Sequence, residues 1–339
     1  MENENLLVKI SDDFYLLDYK GDYALDKFMQ TGTKGVTKLF RFIQKQFKLK
    51  PSPVLVSRKH PACTSFSVKN DIGERIFGRN FDYYDSPCIL LRTTPKNGYK
   101  SLAMLDVQAV VYLLKFQKPE KTKNPSKLLA SPYMCMDGMN EKGLCIAILE
   151  IETKPTYQET GKIPMVPPTM VRAVLDKCAT VDEAVEMFRR FDMYDLLGCN
   201  YHYHICDANG NSVVIEYING EMLLVEPKDD TQYCMNFFFS MGGDNSTAIG
   251  FDRELIVRDA IKEKGGVFTT DEAMNLLSKC TLNFREHIMM IYTLWSALYN
   301  STKKTVNLCI KRNFETRYEI SFDTDFEEYR NNLLGDKND

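Results

Sequence analysis

The chain has 339 residues, of which 44 % are hydrophobic and 26 % charged, and its formal net charge is −3 at pH 7. This length and composition fit one large globular domain and exclude a disordered or repetitive chain. The slightly acidic balance of charge argues against nucleic acid as a partner. The sequence contains no run of 18 apolar residues, so it predicts no transmembrane helix.

The first 62 residues, here called the leader, differ in charge from the rest of the chain. They contain 11 Lys and Arg against 7 Asp and Glu, a net +4, so residues 63–339 carry −7. Residues 36–47 have apolar side chains at helical spacing and basic ones on other faces, which predicts an amphipathic helix that Pro51 ends. Two interpretations stay open: the helix only completes the core, or it docks on the body and residues 36–49 also contact an anionic membrane surface.

Cys63 begins a predicted hairpin whose turn segment, Lys69–Glu74, is rich in Asn, Asp and Gly. A turn at the centre of that segment pairs residues whose numbers sum to about 143, which sets Cys63 opposite Asn80. Arg79 and Asp82 then lie at the end of the neighbouring strand, although they need not share the face of Cys63. A thiol, a guanidinium and a carboxylate in this order predict a nucleophile with its activators, and the alternative is a buried free cysteine.

Strand-like runs recur along the body, and helical segments lie between them. The runs are Thr64–Val68, Ile76–Phe81, Leu144–Ile151, Tyr201–Cys206, Ser212–Tyr217, Met222–Val225 and Thr305–Ile310. Two capping boxes, Thr180–Glu183 and Thr269–Glu272, predict helices over Ala184–Phe191 and Ala273–Cys280. Helices that interrupt runs of hairpin strands indicate an α+β architecture in layers.

Ten cysteines are scattered without paired spacing, and no export signal precedes them, so we expect reduced thiols in a cytoplasmic protein. Cys199, His202, His204 and Cys206 are four potential zinc ligands at short spacing. Structural zinc sites usually draw pairs of ligands from two elements, so we predict no metal and no cofactor.

The order of Cys63-Thr, Arg79-Asn and Asp82 resembles the choloylglycine hydrolase, or linear amide C–N hydrolase, family of N-terminal-nucleophile hydrolases. This family includes bile salt hydrolases, penicillin V acylases and the acid ceramidase and N-acylethanolamine amidase branch. The likeness spans roughly residues 63–325 and continues through Asp137–Leu144, His202–Asp207, Met235–Asn236 and Thr293–Tyr299. It implies a four-layer αββα sandwich.

The resemblance also implies that the chain is cut between Ala62 and Cys63. The leader is then a pro-segment, and residues 63–339 form the amidohydrolase domain. Cys63 would be the nucleophile, and its freed α-amine, with an ordinary pKa of about 7.7–8.0, the general base. Arg79 would favour the thiolate.

Further positions carry over from the family. Asp82 would hold the new ammonium group, and Asn236 would donate a hydrogen bond to the tetrahedral oxyanion. Arg253 matches the distal arginine of the family approximately, and its alternative role is a surface or salt-bridged Arg. Glu150 stands where bile salt hydrolases have asparagine and the ceramidase-like branch has glutamate, which disfavours a bile salt. Phe237, Phe238 and Phe239 form either core or an acyl pocket.

The sequence thus predicts a self-processing cysteine amidohydrolase that acts on a small N-acyl amide with an apolar acyl part. Acyl transfer to an amine, or hydrolysis of a conjugated bile salt or penicillin V, would use the same acyl-Cys63 intermediate. From a different class, an unprocessed lipid-binding scaffold would keep the fold without activity. The acyl chain, the amine, the trigger of cleavage and homo-oligomerisation stay open.

Overall fold

The computed structural model describes residues 5–48, 62–107, 125–195, 198–242, 244–286 and 289–335. Its elements stack in four layers: helices, a nine-stranded sheet, a seven-stranded sheet and helices again. The predicted α+β class and αββα sandwich are therefore confirmed. No helix in these ranges is long and apolar enough to cross a membrane.

The strands, in chain order, are β1 Leu6–Lys9, β2 Phe14–Tyr19, β3 Cys63–Lys69, β4 Arg75–Tyr84, β5 Cys88–Thr93, β6 Ser101–Asp106, β7 Asp137–Asn140, β8 Cys145–Ile151, β9 Ile163–Met165, β10 Phe191–Met193, β11 Asn200–Cys206, β12 Ser212–Ile218, β13 Glu221–Val225, β14 Gln232–Cys234, β15 Asn283–Glu286, β16 Met289–Asn300, β17 Thr305–Ile310 and β18 Asn313–Ser321. The helices are α1 Leu25–Thr31, α2 Val36–Gln46, α3 Pro167–Lys177, α4 Val181–Arg189, α5 Phe251–Lys264, α6 Thr270–Lys279 and α7 Phe326–Gly335, with a 3-10 helix over Pro125–Met134.

The larger sheet has the strand order β1-β2-β5-β6-β7-β8-β11-β12-β13, and the smaller has β14-β3-β4-β16-β17-β18, with β15 pairing β16. Along β8, Ile146 and Ile148 face the helical layer, whereas Ala147 and Leu149 face the second sheet. A strand that is covered on both faces buries every side chain, which explains why its sequence is a continuous apolar run.

The leader is built into these layers. Strand β2 is buried along its whole length and pairs with β5 in parallel. Phe28 of α1 and Leu39 and Ile43 of α2 lie in the core under the nine-stranded sheet, so the apolar face of the predicted helix packs against the body. Both interpretations of the helix place this face against the body, and contact of its basic face with a membrane stays a prediction. Residue 49 and Pro51 lie outside the described residues.

Two predicted helix starts have different outcomes. At α6, Thr269 and Glu272 form the complete capping box. At α4, Thr180 accepts a hydrogen bond from the Glu183 N–H, but the Glu183 carboxylate accepts from the N–H of Ala179 instead of returning to Thr180. Helix α4 also ends two residues before its predicted limit, because the chain turns there into β10.

The predicted hairpin register is wrong by one residue. Cys63 lies opposite Phe81, and not opposite Asn80. The connecting loop, Asn70–Glu74, has an odd number of residues, so its centre falls on a residue and not between two. Gly73 takes a left-handed φ of 85° in this loop, which is a conformation that glycine adopts without steric cost. The shift moves each side chain of β4 to the opposite face relative to β3.

Candidate active site

The peptide bond between Ala62 and Cys63 is held from both sides at the start of β3. The N–H of Cys63 donates to Oδ1 of Asn236 at 2.8 Å, and the carbonyl oxygen of Ala62 accepts from the N–H of Asp82 at 3.1 Å. The Cys63 side chain is 1 % exposed and lies in the core between the two sheets, beside Phe81. Residues far apart in sequence therefore meet at this one peptide.

Arg79 shares the face of Cys63 because of the corrected register, and its guanidinium is fully buried. It donates from Nη2 to the carbonyl oxygen of Ile148 at 2.7 Å and from Nε to Oδ2 of Asp137 at 3.4 Å. Burial raises the pKa of the Cys63 thiol, and the positive charge of Arg79 opposes that effect without cancelling it. In the uncleaved chain the thiol is therefore held in its neutral form.

No role was predicted for Asp137, which the structure places beside Arg79. Its carboxylate is fully buried and accepts from Trp295 Nε1 at 3.0 Å and from the Tyr299 hydroxyl at 2.5 Å, in addition to Arg79. Arg79, Trp295 and Tyr299 lie in segments that carry the family likeness, but their spacing in the sequence does not reveal that they converge on one carboxylate. Asp137 thus fixes the guanidinium that faces the thiol.

A second ion pair lies on the opposite face of the same strands. Arg253 of α5 donates from Nη1 to Asp82 Oδ2 at 3.0 Å and to Thr64 Oγ1 at 3.2 Å, and from Nη2 to Asn236 Oδ1 at 3.2 Å. Thr293 donates to the other Asp82 oxygen. Burial raises the pKa of Asp82, while Arg253 and Thr293 act in the opposite direction. Arg253 is 3 % exposed, so its alternative interpretation as a surface residue is wrong, whereas the alternative of a salt-bridged arginine agrees with its ion pair to Asp82.

Glu150 reaches this site through its main chain. Its carbonyl oxygen accepts a hydrogen bond from Nδ2 of Asn236 at 2.8 Å, and its side chain is buried. The pKa of the neighbouring Cys199 thiol is raised by burial first and by the Glu150 carboxylate second. The glutamate therefore combines a main-chain contact to Asn236 with a side chain that lies toward β11.

A cleft of about 420 Å³ opens beside Asn236. Phe237 and Phe238 line it next to this amide, and Met241 and Ile249 lie at its mouth, 63 % and 44 % exposed. Large apolar side chains that stay exposed around a concave surface are typical of ligand sites.

The third phenylalanine of the run packs differently. The ring of Phe239 lies 5.0 Å from that of Phe237 and 5.8 Å from that of Tyr233, between centroids. The pocket interpretation therefore fits Phe238, Phe237 both lines the cleft and packs in the core, and Phe239 fits the core interpretation.

The candidate zinc ligands have other partners. His204 Nδ1 lies 2.8 Å from the Ser65 hydroxyl and its Nε2 3.2 Å from that of Ser212, and burial lowers its pKa to about 3. His202 lies 2.9 Å from a carboxylate oxygen of Glu216. Among the residues that the structure describes, no group of three His, Cys, Asp or Glu side chains is arranged to hold a metal ion.

Comparison with known proteins supports the likeness. Residues 63–228 match the family model described as linear amide C-N hydrolases, choloylglycine hydrolase family. A penicillin V acylase from Pectobacterium atrosepticum is 29 % identical over 142 residues, which cover 34 % of this chain and 37 % of that protein. The alignment thus spans little more than a third of the length of this curated relative.

Two solved structures have a similar fold. A mutant conjugated bile acid hydrolase from Clostridium perfringens superposes with a TM-score of 0.56 at 17 % identity, covering 78 % of this chain and 94 % of that one. A penicillin V acylase from Agrobacterium tumefaciens gives a TM-score of 0.52 at 17 % identity, covering 76 % and 86 %. These likenesses confirm the N-terminal-nucleophile hydrolase fold.

Proposed function

Because residues 63–228 match the family model of linear amide C-N hydrolases, choloylglycine hydrolase family, we propose that this protein is an amidase that activates itself by cutting before Cys63. Its substrate would be a linear amide with an apolar, lipid-like acyl group. The observation that carries the proposal is the pair of hydrogen bonds on the Ala62–Cys63 peptide, one from Asp82 and one to Asn236.

In the cleavage step, Sγ of Cys63 attacks the carbonyl carbon of Ala62, and the C–N bond breaks. The thiol proton passes to the leaving nitrogen, which becomes the α-amine of Cys63. The Asp82 N–H, 3.1 Å from the carbonyl oxygen, stabilises the negative charge that develops there. Water then hydrolyses the thioester, which leaves a carboxylate on Ala62 and restores the thiol.

The freed amine completes the site for substrate. It accepts the thiol proton as the thiolate attacks an amide and passes it to the departing amine, and water later releases the acyl group from Cys63. Asn236 Nδ2 carries two hydrogens, of which one goes to the Glu150 carbonyl oxygen, and we assign the other to the oxyanion. Arg79 compensates the charge of the thiolate.

The cleft beside Asn236 supports an apolar acyl group. Phe237 and Phe238 are its inner apolar surface, and burial of an acyl chain there is worth up to about 0.8 kcal/mol per methylene. Glu150 stands where bile salt hydrolases have asparagine, which argues against a conjugated bile salt as the substrate. The likeness to a penicillin V acylase favours penicillin V as a second candidate, since it also carries an amide beside an apolar group.

Intact mass and N-terminal sequencing test the cleavage. Active preparations should contain a chain that starts at Cys63, the Cys63→Ala variant should stay full length, and Cys309→Ala, a control at another buried cysteine, should be cut normally. An uncleaved chain with full activity would contradict self-processing.

A substrate panel tests the chemistry. N-acyl amino acids, N-acylethanolamines, ceramides, penicillin V and conjugated bile salts should be assayed with and without an acceptor amine, which separates hydrolysis from acyl transfer. Activity should rise with acyl length and level off where the cleft ends. If the chain stays full length and turns over none of these amides, the interpretation as an unprocessed scaffold replaces the amidase.

Contact of residues 36–49 with a membrane is a separate proposal about the basic face of α2. Its apolar residues are packed in the core, whereas Lys38, Arg41 and Lys45 are exposed. The expected partner is an anionic surface bound without insertion of the helix. Sedimentation with phosphatidylserine vesicles should decrease when the three residues are replaced by glutamine, and unchanged binding would refute the proposal.

A further inference from the structure

The segment that follows β14 carries the groups that face the substrate in the proposed function. Residues 235–240 run from the end of β14, with Asn236 bonded to Cys63 and Phe237 and Phe238 on the wall of the cleft. This segment is irregular and belongs to neither sheet. Its backbone groups therefore need partners other than a strand ladder.

Glu216 of β12 supplies these partners at the far end of the segment. Its Oε1 accepts from the N–H of Phe239 at 2.8 Å, and its Oε2 accepts from the N–H of Ser240 at 3.1 Å and from the Ser240 hydroxyl. The carboxylate is completely buried. Burial alone would raise the pKa of Glu216, but His202, Ser240 and the Phe239 N–H together hold it below its ordinary value.

His202 of β11 connects this carboxylate with the near end of the segment. Its Nε2 lies 2.9 Å from Glu216 Oε1, and its Nδ1 lies 3.2 Å from the carbonyl oxygen of Met235 and 3.1 Å from Sγ of Cys234. The imidazole ring also packs 5.8 Å from the ring of Phe238. The imidazole and the carboxylate thus contact residues on both sides of Asn236.

We propose that His202 and Glu216 are a positioning pair that sets the acyl specificity of the enzyme by fixing residues 235–240. The inference rests on the proposed amidase function, and neither residue touches the reacting atoms. A buried histidine–carboxylate pair contributes little net stability compared with apolar residues of the same volume. The pair matters here because it fixes the positions of neighbouring groups. A displacement of about 1 Å at a reacting group can cost a factor of about 100 in rate.

The first test replaces Glu216 by glutamine, which keeps the shape and one acceptor oxygen. The ratio of kcat/KM for a dodecanoyl amide to that for a butanoyl amide should fall roughly tenfold, mostly through KM of the longer substrate. Asp192→Asn is the matched control, because Asp192 is also a buried carboxylate that accepts backbone N–H groups, those of residues 160–162. An unchanged ratio in Glu216→Gln, or an equal fall in Asp192→Asn, would overturn the proposal.

A second test needs no turnover. In the Cys63→Ala background, hydrogen exchange at the amides of Phe239 and Ser240 should be at least about tenfold faster with Glu216→Gln than without it, and unchanged with Asp192→Asn. Equal protection in all three proteins would show that Glu216 does not hold the segment. The two tests separate the amidase hypothesis from the positioning hypothesis. Absence of turnover in the wild-type chain would refute the amidase, and hydrogen exchange would still decide whether Glu216 holds residues 235–240.

Ser240→Ala covers the case in which Glu216→Gln does not fold. Ser240 is exposed and loses only its hydroxyl donor to Glu216, so the variant should fold. Its acyl-length ratio and amide exchange should change in the same direction, by a smaller factor. No change in either quantity would count against the pair.

Discussion

Replacing Arg253 by methionine is expected to destabilise the uncleaved chain strongly at neutral pH. Arg253 is 3 % exposed, and its Nη1 lies 3.0 Å from the fully buried carboxylate of Asp82. Removing one member of a buried pair costs about 3–5 kcal/mol, because the other charge stays buried without compensation. The methionine retains most of the packing, so the loss reports mainly on the charge.

Protonation of Asp82 sets an upper limit on this cost. From the ordinary pKa of 3.8, protonation at pH 7 requires about 4 kcal/mol, and at pH 5 only about 1.6 kcal/mol. The destabilisation should therefore be about 3–4 kcal/mol at pH 7 and at most about 1.6 kcal/mol at pH 5. Asp82→Asn combined with Arg253→Met should recover most of the loss at pH 7, since no charge then stays behind.

Urea unfolding of these variants in a Cys63→Ala background measures the effect without interference from cleavage. Arg258→Met is the matched control on the same helix, because Arg258 is 46 % exposed and its ion pairs with Glu254 and Asp259 are worth at most about 1 kcal/mol. A cost for Arg253→Met no greater than that for Arg258→Met, or independent of pH, would refute the reasoning.

Three further predictions follow from the described contacts. The buried imidazole of His204 has a pKa of about 3, against 6.5 when the chain is unfolded. Its contribution to stability is therefore present above pH 6.5 and falls by about 2 kcal/mol between pH 7 and pH 5. Urea unfolding of His204→Gln should lack that loss. Iodoacetamide should label Cys63 ahead of the other cysteines only after cleavage, and more slowly in Arg79→Ala; peptide mapping that finds Cys63 labelled no faster than the other cysteines after cleavage would contradict this. The leader should co-elute with the body after cleavage, and Tyr23→Phe, which removes the buried hydroxyl bonded to Asp176, should lower the urea concentration that releases it.

The sequence predicted the α+β class and seven of the 18 described strands because the signals for them are local, whereas the four-layer order came from the family likeness. Alternating or continuous apolar runs identify strands such as β8, and a capping box identifies α6. The register of the hairpin at Cys63 was missed by one residue because it depends on the conformation of a five-residue loop. That conformation, with Gly73 in the left-handed region, is not specified by the presence of Asn, Asp and Gly alone.

Contacts within the candidate site were harder to foresee because they join distant elements. Family likeness singled out Asp82, Asn236 and Arg253, and all three meet at the peptide before Cys63. Glu216 gave only a weak signal, a single acidic residue in the apolar run of β12. The direction in which such a side chain points, and the backbone groups that it meets, follow from tertiary packing and not from spacing along the chain.

The parallel pairing of β2 with β5 has a consequence for how the molecule is made. Strand β2 reaches its place while it is covalently joined to the body, so folding of the intact chain is a reaction of one molecule. If the bond before Cys63 is cut as we propose, the same sheet must be rebuilt from two separate chains, and refolding becomes dependent on concentration. A mature protein that unfolds in dilute solution would then return slowly or not at all, and its lifetime would be set by the rate of unfolding.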